Sequence, residues 1–515
     1  MGTPAEGSTK LSLSEKEGKD SEISAHKISP RQWITMAVLV YVNLINYMDR
    51  LTLAGILEEV KQEFDANDAR AGILQTAFIL SYMLFAPLFG YLGDRYSRKY
   101  LMAAGVFLWS VLTLLGSLVS GSPSNHGKGW LNPDFLLFLS CRAMVGIGEA
   151  SYSTIAPTLI SDMFVGDRRS KMLGLFYFAI PVGSGLGYIV GSETARAFGS
   201  WQWGLRVTPG LGLLAVLLIV FLVNEPPRGA SEGHGKLQAG SYKDDLADLA
   251  GNPTYILTTL GFTCVTFCTG ALSWWGPIFI QRGLKTLAEG ERLMQPSTVP
   301  FVFGVVTMLS GIVGVPLGMI LSTKLRAIYP RADPIICGAG ILISAVLLTL
   351  GILFCDSNII LTLVLIFFGE VSLNLNWSIV ADMLLYVVSP TCRGTAEALQ
   401  ILISHALGDA GSPYLIGLLS DGIYSAMIPE IPCEEPMKSN KTLGMGEDST
   451  ESDGCDFAWE AYASLQYSFF TNSGVEVVGG VLFLMAAFFI VRDREACEKA
   501  AEEAQKSASK LYELE

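Results

Sequence analysis

Long apolar runs separated by short polar segments dominate the chain from about residue 33 onward. Each run has about 20 residues, the length that an α-helix needs to cross the hydrocarbon core of a bilayer. The pattern therefore predicts an all-α membrane protein with twelve transmembrane helices. The runs lie near 33–55, 71–93, 100–120, 134–158, 172–191, 206–223, 254–280, 299–322, 334–355, 358–384, 395–419 and 473–491.

The two halves of the chain repeat one another. A G-E-x-S start opens a segment at 148–163 and again at 369–383, and both segments close on Asp-Met. Further matches keep the same order at nearly the same offset: Glu149 with Glu370, Asp162 with Asp382, Arg169 with Arg393, Tyr188 with Tyr414, and Gly90 with Gly318. Unrelated helices would not keep one offset over most of a chain. We therefore predict two six-helix bundles.

Segment boundaries follow from the apolar runs. The predicted division is a tail at 1–32, a first bundle at 33–223, a linker at 224–253, a second bundle at 254–491 that includes a long polar loop at 420–472, and a tail at 492–515. The amino-terminal tail has no apolar core of the kind a cleaved signal peptide needs, so the first helix should direct insertion itself.

Composition and charge support a membrane location and fix an orientation. Hydrophobic residues make up 50% of the chain, charged residues only 16%, and the mean hydropathy is +0.43. Lysine and arginine are concentrated in the two tails and in the loops on their side, which predicts that both termini are cytosolic. The net charge of -13 argues against nucleic acid as a partner.

The loop at 420–472 is acidic and falls on the lumenal or extracellular side in this orientation. Asn440 begins an N-glycosylation sequon there. Cys433 and Cys455 share the loop, where a disulfide could persist, although the sequence does not decide whether one forms. The four histidines show no metal-ligand spacing, so we expect neither a metal nor a cofactor.

Four ionisable residues fall inside the first and fourth predicted helices: Asp49, Arg50, Arg142 and Glu149. Charged groups in a bilayer are costly unless they face a polar interior, so these should line a wet internal cleft that marks an ion or substrate path. Depth arithmetic at about 1.5 Å per residue brings Asp49 level with Arg142. Protonating the carboxylate would free the guanidinium for an anionic substrate. The alternative is a fixed ion pair that only holds the helices together.

Polar positions continue on both halves. Asn46 lies one turn before Arg50 on the first helix, and Glu370 lies in the repeated segment of the second half. His405 and Asp409 are one turn apart in the eleventh helix, where they could relay protons. A neutral histidine satisfied by Asp409 would explain that pair equally well. Polar side chains that only hold helices together are an alternative for the other positions.

Residues 90–99, GYLGDRYSRK, join the second and third helices and resemble motif A of the major facilitator superfamily. The predicted cytosolic gate consists of Gly90, Asp94, Arg95, Arg98 and Arg393. A latch from Asp94 to Arg393, at the start of the eleventh helix, would hold the outward-open state. The basic residues could instead be plain positive-inside anchors.

The second copy of this motif, at 318–326, has Ser322 where the first has Asp94. The latch is therefore expected on one side only. Arg142, Gly146, Gly148 and Glu149 resemble a second signature of the same superfamily, which implies the major facilitator fold.

Longer strings resemble the Spinster branch of that superfamily. They are NYMDR at 46–50, GEASYSTIAP at 148–157, FYFAIPVGSGLGY at 176–188, RADP at 331–334, LLYVV at 384–388 and GDAGSPYLIG at 408–417. The resemblance implies a transporter of lysophospholipids or sphingoid phosphates. It also implies that the residues matching the family's coupling and headgroup positions are Asp49, Arg50, Arg142 and Glu149.

The hypothesis that follows is a secondary active transporter that moves such a lipid by alternating access, with proton coupling left open. We expect a monomer in the lysosomal, late endosomal or plasma membrane. Two alternatives remain at this point: a lipid sensor, and an intramembrane lipid-modifying enzyme that uses His405 and Asp409. No nucleophile or phosphate-binding loop favours the enzyme.

Overall fold

The computed structural model describes residues 28–164, 166–226, 242–288, 290, 292–389, 393–428 and 457–512, without the side chains of Gly166, Asp167, Ser170, Asp94, 242–245 and 500–512. The sequon at Asn440 and the pair Cys433 and Cys455 lie outside the described residues. Within them the chain is helical, with α1 Pro30–Gly55, α2 Leu57–Glu63, α3 Asp68–Arg95, α4 Arg98–Gly116, α5 Pro133–Met163, α6 Gly166–Phe198, α7 Gln202–Leu222, α8 Tyr242–Ala250, α9 Pro253–Lys285, α10 Val299–Arg326, α11 Ala332–Phe354, α12 Ile359–Val387, α13 Arg393–Leu407, α14 Gly411–Met427 and α15 Ala458–Tyr512.

Side-chain caps begin many of these helices. Asparagines at 67, 132, 252 and 358 stand at the N-caps of α3, α5, α9 and α12, and each accepts a hydrogen bond from a backbone N–H of the first turn. Ser29 forms a capping box with Gln32 at the start of α1. Capping satisfies N–H groups that have no intrahelical partner, which explains why the polar segments end where they do.

Ten helices of the described residues are long and apolar enough to span a membrane. α1 is long enough, but its interior holds Asn43, Asn46, Asp49 and Arg50. The helix predicted at 395–419 is divided into α13 and α14. All of this agrees with the predicted all-α membrane class and with a twelve-span chain whose first and eleventh spans are unusual.

The break between α13 and α14 covers residues 408–410. A Cβ at Gly408 would lie 2.0 Å from the Thr266 hydroxyl of α9, so only glycine allows this approach. Pro413 lies four residues beyond Asp409 and has no N–H to donate to the Asp409 carbonyl. Apolar residues on both sides of these polar residues indicated a single span, and the prediction of one continuous helix was wrong.

The last helix is longer than its predicted span. α15 begins at Ala458, so residues 458–472 of the predicted polar loop are helical. Tyr462, Leu465 and Phe469 on this first part are buried. The predicted loop at 420–472 is polar on average, so these few apolar residues did not indicate a helix.

Packing separates the helices into two groups. α1 and α3–α7 pack around one apolar cluster, which includes Leu39, Trp109 and Tyr152. α9, α11, α12, α13 and α15 pack around another, which includes Val265 and Phe483, and α10 packs on α12. A third cluster contains residues of both groups, among them Trp201, Trp274 and Trp275.

The groups meet through close helix contacts. Gly185 of α6 and Gly304 of α10 face each other, and a Cβ on either would lie within 2.6 Å of the other's carbonyl oxygen. Such small residues let two membrane helices approach closely. α3 and α14 are equally close, because a Cβ at Gly72 would lie 2.3 Å from the Pro413 carbonyl.

The helix bundle has two ends, the tail face and the opposite face. The tail face is the end at which α1 begins, where Gln32 donates to the Met163 carbonyl at the end of α5. The opposite face is the end at which α3 begins. The sequence predicts that the tail face is cytosolic.

Candidate functional site

A buried cluster of four charges lies between α1 and α5. The Arg50 Nε lies 3.1 Å from the Glu149 Oε2, and the Arg142 Nη1 lies 3.7 Å from the Asp49 Oδ2. The Arg142 Nη2 also donates to the Arg50 carbonyl at 3.0 Å. The two carboxylates and two guanidinium groups therefore form one connected unit, in which each charge is compensated.

The pair predicted from depth arithmetic, Asp49 with Arg142, forms as expected. The pair between Arg50 and Glu149 was not anticipated. Neighbouring helices add polar partners that the sequence did not reveal: hydroxyls of Thr113 on α4 and Thr208 on α7 donate to Asp49, and Gln75 on α3 accepts from Arg142. No local motif marks these residues, because a single threonine or glutamine in an apolar run is common.

Burial distinguishes the members of the cluster. Asp49 and Glu149 are fully buried and Arg142 is 5% exposed, whereas the Arg50 side chain is 14% exposed. The expectation that all four line a wet cleft is therefore wrong for this conformation. The carboxylates lie behind the arginines, and Arg50 is the member that reaches an accessible surface.

Aromatic rings frame the Arg50 guanidinium. Its carbon lies 4.9 Å from the centre of the Tyr47 ring, 5.2 Å from Phe78 and 5.0 Å from Tyr82. A cation held over aromatic faces keeps its charge while it is partly removed from water. Asp409 of the second helix group is close enough for its charge to act on Arg50. Arg50 thus lies where both groups of helices influence it.

Asn46 is one turn from Arg50 and is fully buried, yet neither its amide nitrogen nor its oxygen has a hydrogen-bond partner. The Glu149 Oε1 and the Arg142 Nε are also without partners. Buried polar atoms are nearly always hydrogen-bonded in folded proteins. Unpaired atoms concentrated around one charge cluster are typical of a place that takes a ligand, a proton or water.

The repeated glutamate of the second half has a different environment. Glu370 on α12 accepts hydrogen bonds from the hydroxyls of Thr307 at 3.1 Å and Ser310 at 2.7 Å, both on α10. Among the described residues, no arginine or lysine forms an ion pair with it. Glu370 is 6% exposed and lies between helices of its own group.

His405 and Asp409 lie at the break between α13 and α14. The His405 Nδ1 is 2.9 Å and 3.0 Å from the two carboxylate oxygens of Asp409. Both side chains are about one-fifth exposed. Thr76 on α3 donates to the Ala410 carbonyl, which ties the break to the first helix group. Discontinuous helices of this kind form substrate sites near the membrane middle in transporters.

The predicted gate residues are spread over the tail face. The Arg98 Nη1 lies 2.5 Å from the Asp162 Oδ2 at the end of α5, and Arg95 stacks on the Tyr91 ring of its own helix at 3.7 Å. Gly90 has open space around it. Arg393 is partly buried at the start of α13. The side chain of Asp94 lies outside the described residues, so the latch to Arg393 stays a prediction.

The second copy of the gate motif has a carboxylate beside it, although Ser322 stands at the position that matches Asp94. The Ser322 hydroxyl donates to the Asp333 Oδ1 at 2.7 Å, and the Tyr386 hydroxyl donates to the Oδ2 at 2.7 Å. Arg326 pairs with both Asp333 and Asp382. This carboxylate comes from the start of α11, outside the motif, and the expectation of a latch on one side only stays a prediction.

An ion-pair group joins the two helix groups at the opposite face. The Arg282 Nη2 of α9 lies 2.6 Å from the Asp68 Oδ1 of α3, and Ser420 of α14 donates to the Asp68 Oδ2 at 2.7 Å. Asp421 accepts from the backbone N–H groups of Asp68 and Ala69. These contacts close the opposite face. Sequence analysis missed them because the partners are far apart along the chain.

Comparison with known proteins gives consistent results. The Major Facilitator Superfamily model matches residues 39–413. The chain is 52% identical to Protein spinster of Drosophila melanogaster, over 92% of this chain and 79% of that protein. It is 47% identical to human Protein spinster homolog 1, over 92% of this chain and 84% of that protein.

Solved structures are similar in fold. A bacterial homolog to the human lysosomal transporter Spinster, in an inward-facing and unoccupied conformation, superposes with a TM-score of 0.73 at 19% identity, covering 90% of this chain and 99% of that one. A D-xylose–proton symporter superposes with a TM-score of 0.63 at 17% identity, covering 89% of this chain and 97% of that one.

Proposed function

Since the chain belongs to the Spinster family of the major facilitator superfamily and is a multi-pass membrane transporter, we propose that it carries a lysophospholipid or a sphingoid phosphate by alternating access, with protons as the coupled ion. Membership of a transporter family removes the enzyme alternative based on His405 and Asp409. The observation that carries the proposal is the Arg50 guanidinium, which is partly accessible, framed by aromatic rings and paired with a buried carboxylate.

Headgroup binding is assigned to Arg50. Its planar fork suits a phosphate, and the surrounding rings suit the apolar part of an amphiphile. Arg142 supports it from behind, since Arg142 is nearly buried and donates to the Arg50 carbonyl. A phosphate that approaches Arg50 must compete with Glu149 for the same guanidinium.

Proton exchange is assigned to Glu149 and Asp49, the carboxylates paired with these arginines. A proton on Glu149 removes its negative charge and leaves Arg50 free to bind the headgroup. A proton on Asp49 does the same for Arg142. Substrate and proton therefore favour each other at this site, which is the thermodynamic requirement for coupling.

Conformational change is assigned to rocking of the two helix groups about this site. Asp68 and Arg282 hold the opposite face closed in the present conformation, and opening that face requires their separation. Asp409, at the break between α13 and α14, brings the second group to the site; His405 orients Asp409. Asn46, one turn from Arg50, is assigned to the substrate site, and Glu370 is assigned to holding α12 against α10.

Several further assignments are part of the proposal. The tail face is cytosolic, Asn440 is glycosylated on the other side, and the protein acts as a monomer. The membrane is lysosomal, late endosomal or plasma. The gate formed by Gly90, Asp94, Arg95, Arg98 and Arg393 closes the cytosolic side in the outward-open state.

Reconstitution tests this function. Purified full-length protein in proteoliposomes should take up at least one of radiolabelled lysophosphatidylcholine, lysophosphatidylethanolamine and sphingosine phosphate, and uptake should depend on an imposed pH gradient. Saturable binding of all three lipids without flux would instead support a lipid sensor.

A variant separates the coupling from the transport. Asp49→Asn keeps the size of the side chain and its hydroxyl partners but removes the titration. We expect uptake that no longer responds to the pH gradient. An unchanged pH dependence in Asp49→Asn would remove Asp49 from the coupling mechanism.

A further inference from the structure

A second buried carboxylate lies away from the central cluster, on α15. Glu476 is fully buried, and its Oε1 accepts a hydrogen bond from the Ser344 hydroxyl of α11 at 2.8 Å. Its Oε2 has no hydrogen-bond partner. Neither the repeat nor any motif of the sequence points to this residue, and the transport mechanism above does not use it.

No cation compensates Glu476 within the described part of the chain, where it forms no ion pair. The titratable group that faces it from α9 is the Cys268 thiol. α12 contributes the apolar Ile366 to its surroundings, and the acidic group of α14, Asp421, is held at the opposite face. An unpaired buried charge is far more costly than a neutral, hydrogen-bonded carboxyl.

Glu476 lines a small cavity. It has a volume of about 20 Å³ and is lined by Asn472, Ser473 and Glu476 together with apolar side chains of α9, α11 and α12. A cavity needs about 10–15 Å³ to hold one water molecule, and that water needs polar partners. The Asn472 Oδ1 is also buried without a partner, one turn from Glu476 on the same face of α15.

We infer that Glu476 carries a bound proton, and that a single internal water in this cavity accepts a hydrogen bond from its carboxyl group and donates one to the Asn472 side-chain oxygen. This arrangement satisfies both unpaired oxygens and leaves no buried net charge. The ligand is thus a proton held by this polar cell.

The cell is separated from the central site by α9. The Cys268 thiol donates to the Asn472 carbonyl at 3.6 Å on one side of this helix. Two residues later, Gly270 approaches Asp409, and a Cβ there would lie 2.5 Å from the Asp409 Cα. The proton on Glu476 therefore stabilises the packing that supports the helix break, and it does so whether or not transport is proton-coupled.

Thermal unfolding at different pH values tests the bound proton. Alkaline pH should remove it and leave an uncompensated charge, so the wild-type unfolding temperature should fall as the pH rises. Glu476→Gln retains the shape and a donor group, and we expect wild-type stability at mildly acidic pH and a much smaller fall at alkaline pH. Glu498→Gln is the matched control, because Glu498 is an exposed glutamate of the same helix and should leave the wild-type profile unchanged.

Infrared spectroscopy of the folded proteins provides a second measurement that does not rely on unfolding temperatures. A protonated-carboxyl band should be present in the wild-type protein at neutral pH, lose intensity in Glu476→Gln and keep its intensity in Glu498→Gln. Two results would overturn the inference: a band that is unchanged in Glu476→Gln, or sodium chloride raising the unfolding temperature of wild type, but not of Glu476→Gln, relative to choline chloride. The second result would mean that a cation rather than a proton neutralises Glu476.

Discussion

Glu149 and Glu370 occupy matching positions in the two halves of the chain, yet their partners differ. Glu149 pairs with Arg50, whereas Glu370 accepts hydrogen bonds from Thr307 and Ser310. The same G-E-x-S segment thus supports a charged site in one half and a hydroxyl-lined site in the other. Duplication preserved the backbone and the depth of the glutamate, while the facing helix determined what the glutamate can do.

The tail face repeats this lesson. α4 and α11 begin at equivalent places in the two halves, and each has a carboxylate at its first turn. Glu225, which follows α7, accepts from the Ser97 hydroxyl and the Arg98 N–H. Asp333 belongs to α11 itself. Glu225 accepts from an N–H of the first turn of α4, whereas Asp333 accepts from the side chains of Ser322 and Tyr386.

Replacing Arg50 by glutamine should cause the largest loss of lipid uptake among the variants that compare the two halves. The change leaves Glu149 without its cation, and breaking a buried pair in this way costs about 3–5 kcal/mol. Lipid uptake into proteoliposomes should fall at least about tenfold, the change that 1.4 kcal/mol produces. Arg31→Gln is the matched control, since Arg31 is an exposed arginine of the same helix and has no role in the proposed mechanism. Equal uptake by both variants would contradict the assignment of Arg50.

The two glutamates can be compared directly by the same substitution. Glu149→Gln should abolish the response of uptake to a pH gradient, because the group that competes for Arg50 no longer titrates. Glu370→Gln should keep that response and change uptake by less than about fivefold, since an amide oxygen accepts from Thr307 and Ser310 with a loss of about 1 kcal/mol. Identical pH profiles for the two variants would mean that the halves are functionally equivalent.

Removing a hydroxyl tests how Glu370 is held. Ser310→Ala deletes a 2.7 Å hydrogen bond and should lower the free energy of unfolding by about 1–3 kcal/mol, the cost of an unsatisfied buried acceptor. Uptake per folded molecule should be unchanged. A loss of uptake without a loss of stability would show that Glu370 takes part in transport.

The smallest expected effect lies at the tail face. Burial acts to raise the pKa of Glu225, but hydrogen bonds from Ser97, Arg98 and Lys99 outweigh it and lower that pKa. A lowered carboxyl pKa stabilises the fold above its unfolded value of about 4.3 and loses this contribution as the pH falls through the folded value. Glu225→Gln should therefore reduce stability slightly at neutral pH and converge with wild type under acid, as measured by thermal unfolding.

One pair of the site could be predicted from the sequence, because its formation depends mainly on how deep each residue lies along its membrane helix. Asp49 and Arg142 lie at matching heights on neighbouring helices, and a rise of about 1.5 Å per residue is enough to bring them together. Arg50 and Glu149 depend in addition on how far each helix is rotated about its axis. Their pairing, and the donors Thr113 and Thr208, could not be read from spacing.

The break at residues 408–410 had a visible signal in Gly408 and Pro413, but the apolar residues on either side outweighed it. No sequence signal marked the group of Asp68, Arg282 and Ser420. Its members come from three helices, and each is a residue type that is common near helix ends. Glu476 lies in an apolar span, where the sequence gives its depth but not its neighbours.

The sequence by itself determined the all-helical class, the duplicated plan and the presence of charges inside the spans, because hydropathy and helix length are properties of single segments. Only the tertiary structure decided which charges pair, which of them reach an accessible surface and which face is closed. The physical reason is that the energy of a buried charge depends on partners within a few ångströms. Those distances are set by rotation and contact between helices far apart along the chain.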